Sequence, residues 1–277
     1  MPAPPPLART RIVSLALNVP GPVALARLVA AGASATKIEP PAGDPLSTMC
    51  PAWYDAVCRG VEVVEVDLKT PEGQSRLAAL LADADLLLTS QRPGALARLG
   101  LSSERLATVF PGLRHLNIVG QVGNPERAGH DLTYQATHGL IDERLPSTLL
   151  ADLVGAERVV SEALLLLAGP PGGHATVGLE DSLALLDLPG RYGLTVPGGL
   201  LGGGLPEYGV YPSADGHVAV AALEPRFRSR LYAELGRAPG TSLGDAFVGR
   251  TAAAWAEWAE ERDLPIVAVR SIREQRR

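Results

Sequence analysis

Between Arg11 and Val119, short apolar runs alternate with longer segments of helical periodicity, and this alternation constrains the fold more than any other feature. Residues 11–17 read as a strand, and Pro20-Gly21-Pro22 opens an alanine-rich helix running to about residue 31. Residues 35–39 form a second strand, stopped by Pro40-Pro41, and the β-branched run 61–68 a third. Residues 71–81 start on a proline where a helix tolerates one and continue with helical periodicity. Strands over 84–88 and 113–119 flank a helical pair that follows Arg92-Pro93-Gly94. Parallel strands need long crossovers, so this order predicts an α/β fold whose largely parallel sheet is covered by helices on both faces. Ligands of such sheets sit beyond the carboxyl ends of the strands, which directs attention to the loops after Leu17, Glu39, Leu88 and Val119.

Residues 152–167 read as a long apolar helix. Glycine and proline then recur over 169–204 around one helix at 179–186, a composition expected of a linker and mobile loop. From Tyr208 a second unit begins, with two strands about an Asp215-Gly216 turn, a helix from Pro225, another about Trp255 and a last strand over 265–269. The expected organisation is a large domain over 1–168, a linker over 169–207 and a small α+β domain over 208–277, with a flexible proline-rich start over 1–7.

A net charge of −5 argues against nucleic acid or an anionic membrane surface as partner. The apolar run 12–19 is too short to span a bilayer and lacks a leader-like cleavage pattern, so a cytoplasmic protein is expected. Cys50 and Cys58 are the only cysteines, too few for a disulfide framework or a cysteine metal site, and no metal is expected. Of 25 basic residues only Lys37 and Lys69 are lysines, so a bound anion would meet mostly guanidinium, which suits phosphate.

His130, in Gly129-His130-Asp131, and Asp152 could converge as an acid/base pair, with Glu224 of Leu223-Glu224-Pro225 further on as a third candidate. By residue type alone each has another reading: His130 as a turn residue, Asp152 and Glu224 as helix N-caps.

The order of several motifs narrows this. Lys37-Ile38-Glu39-Pro40-Pro41-Ala42-Gly43-Asp44, then Val66-Asp67-Leu68-Lys69-Thr70-Pro71-Glu72-Gly73, then Arg92-Pro93-Gly94-Ala95 with Arg98-Leu99-Gly100-Leu101, then Gly129-His130-Asp131, resembles the class III CoA-transferase (CaiB/BaiF) family. Within it the chain is most similar to the α-methylacyl-CoA racemases. The resemblance implies a Rossmann-like large domain, a small domain and two interlocked ring-shaped chains as a homodimer. It implies CoA across the large domain, with Val66, Lys69, Ser90, Gln91 and Arg98 at contact positions and Arg59 and Arg92 as nearby cations. Their chemistry fits the phosphates of CoA. Asp152 matches the family's functional aspartate, the nucleophile in the transferases; in the racemases a histidine at the position of His130 joins it, and Glu224 matches a third residue contributed by the small domain of the partner chain.

Likeness to the racemases implies 1,1-proton transfer on a 2-methylacyl-CoA thioester. Neutral His130 takes the α-proton from one face and protonated Asp152 returns one to the other, through an enolate whose oxygen is held by amides opening the Asp152 helix. Burial must raise the aspartate for this role, and its neighbours Leu149, Leu150, Leu153 and Val154 are apolar. No cofactor beyond the CoA of the substrate is implied, and the early turn Asn18-Val19-Pro20-Gly21-Pro22 lacks a dinucleotide fingerprint. The alternatives are a CoA-transferase with Asp152 as nucleophile and a noncatalytic CoA-binding protein. The chain departs from the family pattern at Pro40, where some members carry a basic residue, in lacking an arginine-containing glycine turn after the Asp152 helix, and in an expected shortening of the C-terminal part.

Overall fold

The strands of the N-terminal unit send alternate side chains to opposite faces of one sheet, and each face is closed by its own helices. The computed structural model describes residues 4–271. Its first unit contains β1 (Arg11–Ser14), α1 (Pro20–Ala30), β2 (Ser34–Glu39), α2 (Pro45–Met49), α3 (Pro51–Val57), β3 (Glu62–Glu65) and α4 (Pro71–Ala82). There follow β4 (Leu86–Thr89), α5 (Pro93–Arg98), α6 (Ser103–Val109), β5 (Arg114–Val119), α7 (Asp131–Thr137), α8 (Leu150–Ala168) and β6 (His174–Gly178). Ile12, Leu86, Leu88 and Leu116 bury one face against Leu25 and Leu28 of α1 and Val159 and Ala163 of α8. Val13 and Leu87, the alternate residues, face Leu77 and Leu81 of α4, Leu96 of α5 and Leu106 of α6.

The strand order is β3-β2-β1-β4-β5-β6, and every pairing is parallel. The chain builds outward from β1 to β3, then resumes at β4 on the other side of β1. The loops after β1 and β4 therefore diverge and leave a crevice at the carboxyl edge of the sheet, the usual place for a ligand in this architecture.

Three features differ from expectation. β6 lies in the segment expected to be a linker and pairs with β5, His115 opposite His174 through Val119 opposite Gly178. As an edge strand it is paired on one side only, so a short run of modest hydrophobicity between glycines suffices. The helix expected at 179–186 is a tighter 3₁₀ segment, Asp181–Leu185, and the two compact units divide between Leu186 and Asp187. Of the proline-rich start, residues 1–3 lie outside the described residues, while Leu7 is buried in the core and its amide donates to the Ala31 carbonyl at 3.0 Å.

The second unit is α+β. It contains α9 (Leu188–Arg191), β7 (Tyr208–Pro212), β8 (His217–Ala221), α10 (Pro225–Leu235), α11 (Ala252–Glu260) and β9 (Ile266–Ala268), with an antiparallel sheet β7-β8-β9. Val218 and Val220 of β8 pack with Leu231, Tyr232, Phe247 and Trp255 in a separate core. Among the described residues no helix is long and apolar enough to cross a membrane.

Two polar networks lie inside the first unit. Lys37 of β2 is fully buried, and its Nζ donates to Glu39 Oε1 and, at 2.6 Å, to Asp44 Oδ2. Tyr54 donates to Glu39 Oε1 at 2.7 Å, and Asp44 Oδ1 accepts from the amides of Asn18 at 3.0 Å and Leu46 at 2.9 Å. Burial works to raise the Glu39 carboxyl, but the bonds from Lys37 and Tyr54 and the Lys37 charge outweigh it and hold it below its ordinary value. The Lys37-to-Asp44 motif is thus a buried ion cluster. In the second network the Thr89 hydroxyl donates to Asn117 Oδ1 at 2.8 Å and therefore accepts from His115 Nε2 at 2.9 Å, leaving His115 Nδ1 to accept from Ser103 at 3.2 Å.

Replacing Lys37 by methionine leaves two buried carboxylates without their cation and is expected to cost about 3–5 kcal/mol in urea unfolding; a loss under about 1 kcal/mol would refute the cluster's role. Burial, helped by the charge of His174, pushes His115 down to about 4 from its ordinary 6.5. The stability this neutral ring contributes is complete above pH 6.5 and fades as pH falls towards 4. Urea midpoints from pH 7.5 to 4.5 should therefore fall more steeply for the unsubstituted protein than for His115→Gln, which keeps hydrogen-bonding groups but cannot titrate there.

Candidate active site

A cavity of about 280 Å³ opens at the carboxyl edge of the sheet, where the loops after β1, β4 and β5 meet the entrances to α7 and α8. Asn18, after β1, has a left-handed backbone (φ 66°), which asparagine tolerates better than most residues, and its amide is fixed by Asp44. Ser90, after β4, accepts from the Leu17 amide at 3.0 Å, and Gln91 donates to the Leu15 carbonyl at 2.7 Å. These bonds tie the β1 and β4 loops to one another at a set distance. Ser90, Arg92, His130 and Asp152 all line the cavity they frame.

His130 directly precedes α7 in extended conformation. Thr133 Oγ1 accepts from the His130 amide at 3.1 Å and donates to its carbonyl at 2.8 Å, which fixes the backbone and leaves the exposed imidazole at the cavity wall. The adjacent Asp131 is buried and points the other way. Its Oδ1 accepts from the amides of Ala151 at 2.8 Å and Asp152 at 3.2 Å, and its Oδ2 accepts from Gln135 Nε2 at 2.6 Å. The first turn of α8 is therefore capped by a carboxylate from α7, a helix-end interaction favoured by the dipole.

Asp152 is consequently not the helix cap. Leu149 holds that position, α8 opens two residues earlier than the sequence pattern suggests, and the Asp152 carboxyl is left to face the cavity. Burial, and next the negative charge of Asp131, push it from an ordinary 3.8 up to about 7. A carboxyl poised there can hold or release a proton near neutral pH. The amides expected to hold an enolate oxygen, at the opening of this helix, are engaged by Asp131.

A second, more open cavity of about 870 Å³ lies on the same unit between the loop after β3 and α5, and Lys69 and Arg98 both line it. Arg105 of α6 lines it as well; the sequence gives no sign of this, because the loop between α5 and α6 sets the relation of Arg98 to Arg105. The other expected contact residues are not brought to either cavity. Val66 is in the core, its amide donating to the Glu39 carbonyl at 2.9 Å. Gln91 spends its side chain on Leu15 and on the Ser90 amide, and Arg59 lies in the turn between α3 and β3. Glu224, in the second unit, is exposed at the N-cap of α10 but makes no side-chain capping bond there.

Comparison with known proteins bears on the family and the fold. The CoA-transferase family III model matches residues 7–144. Over 244 residues the chain is 30% identical to Succinyl-CoA--D-citramalate CoA-transferase of Chloroflexus aurantiacus, covering 77% of this chain and 60% of that protein, less than two thirds of its length. Over 308 residues it is 27% identical to Alpha-methylacyl-CoA racemase of Mus musculus, covering 97% of this chain and 78% of that protein. The crystal structure of the hypothetical protein Rv3272 from Mycobacterium tuberculosis shares the fold, with a TM-score of 0.85 at 21% identity over 99% of this chain and 88% of that one. Family model and relatives agree: residues 7–144 match CoA-transferase family III, and the chain shares the fold of the Mycobacterium tuberculosis protein.

Proposed function

We propose that this protein racemises the α-carbon of a 2-methylacyl-CoA by passing a proton between His130 and Asp152. The observation that carries this reading is the Asp152 carboxyl raised to about 7 in the cavity that His130 also lines. A nucleophilic transferase aspartate works best ionised, whereas a racemase needs a carboxyl that holds a proton at neutral pH and gives it up during the reaction. Removal of the α-proton by neutral His130 and delivery by Asp152 inverts the centre; from the other enantiomer Asp152 takes the proton and His130 returns one. The pair carries one proton in either direction. Lys69 and Arg98, on the open cavity, supply cations for the CoA phosphates, and no cofactor beyond that CoA is required. The reading extends to a cytoplasmic homodimer in which Glu224 supports the site of the partner chain, as in the racemases the sequence resembles.

Incubation of one enantiomer of a 2-methylacyl-CoA in D2O, with no acceptor acid, tests it. The expected result is α-deuterium together with inversion. Asp152→Asn should abolish inversion yet let His130 exchange the proton on its own face, and the rate of the unsubstituted protein should fall above about pH 7 as Asp152 loses its proton. Absence of exchange, with CoA passed instead to an added carboxylic acid, would assign the transferase chemistry of the Chloroflexus relative. For the coenzyme, Lys69→Ala and Arg98→Ala should each weaken CoA about tenfold by calorimetry, less so in high salt. An unchanged Kd in both variants would remove this cavity from the CoA path.

A further inference from the structure

We infer that the Tyr134 hydroxyl is a catalytic hydrogen-bond donor that holds the thioester oxygen of the substrate as it becomes an enolate, an assignment that rests on the proposed racemase reading. Tyr134, on α7 one turn after His130, is only 6% exposed, and it lines the same cavity as His130 and Asp152. Its ring is held by the backbone rather than by loose packing. A Cβ on Gly120 would collide with the hydroxyl, and one on Gly129 with the ring, so the absence of side chains at both positions leaves the slot that Tyr134 fills. Among the described residues nothing forms a hydrogen bond with this hydroxyl. The hydroxyl oxygen is open to the cavity, from which a bound group can reach it.

The reaction needs such a donor. When the base removes the α-proton, the C–H electron pair moves into the bond to the carbonyl carbon and the carbonyl π pair moves onto oxygen; reprotonation on the opposite face reverses both shifts. The amides of Ala151 and Asp152 are taken by Asp131 and are not free to hold the negative oxygen. Tyr134 supplies a donor without losing its own proton. Burial, and the charges of Glu180 and Asp152, raise its pKa despite opposition from Arg127 and Arg92, and keep it a neutral donor.

Tyr134→Phe removes the hydroxyl and keeps the ring between the two glycines. The expected result is a fall in kcat for α-exchange and inversion on the order of 100-fold, with KM within about threefold. In parallel, S-carboxymethyl-CoA, a thioether with an anionic oxygen near the thioester position, should bind the variant about tenfold more weakly while free CoA binds both proteins equally. A kcat within twofold of the unsubstituted protein overturns the assignment. Should the unsubstituted protein show no exchange at all, the racemase reading fails separately, and equal affinities of the two proteins for S-carboxymethyl-CoA then overturn the donor role.

Discussion

The Asp131 carboxylate reaching from α7 to the amides of Ala151 and Asp152 is the interaction on which the site depends. It caps a nineteen-residue helix at an end that would otherwise leave buried donors unsatisfied, and it ties that end to the residue next to His130. One side chain thus sets the spacing of two others that are far apart in sequence. It also acts electrostatically, because its negative charge adds to burial in raising Asp152. Positioning and proton affinity are consequences of the same contact, so geometry and acidity of the site cannot be varied independently at this residue.

The cavity has a second support beneath it. The buried cluster of Lys37, Glu39 and Asp44 fixes the Asn18 amide and so the shape of the loop leaving β1, while Ser90 and Gln91 tie that loop to the one leaving β4. Bringing two carboxylates and an ammonium out of water is expensive unless all of them are paired, and their pairing here is what converts a desolvation cost into a defined loop conformation. Residues that look like ligand contacts by their place in a motif, such as Gln91, are in this structure spent on holding the walls.

Much of the fold was legible in the sequence, and the reasons are physical. Strand–helix alternation survives in sequence because each period reports a buried face, and Ile12 against Val13 or Leu86 against Leu87 carry that signal directly. β6 did not announce itself, since an edge strand bounded by glycines has little apolar periodicity to show. His130 and Asp152, singled out by motif, line one cavity, and Lys69 and Arg98 line another. The capping role of Asp131, the engaged side chain of Gln91 and the arrival of Arg105 beside Arg98 were not legible, because each depends on how separate elements meet. An aspartate near the start of a helix suggests a cap from sequence alone; only the folded chain shows that the cap comes from the neighbouring helix.

That exchange of roles between two aspartates has a chemical consequence. A carboxyl that is desolvated beside a like charge is pushed towards its neutral form. Asp131 accepts three hydrogen bonds, and Asp152 sits partly buried beside it. If Asp152 capped its own helix, those amides would favour its ionised form, which suits an acyl-accepting nucleophile better than a proton donor. Handing the cap to Asp131 frees Asp152 to keep a proton near neutral pH, but it also takes away the amides that would have stabilised a negative substrate oxygen. The arrangement that makes Asp152 an acid therefore leaves a negative substrate oxygen to other donors, and the Tyr134 hydroxyl, enclosed in the same cavity, is placed to be one.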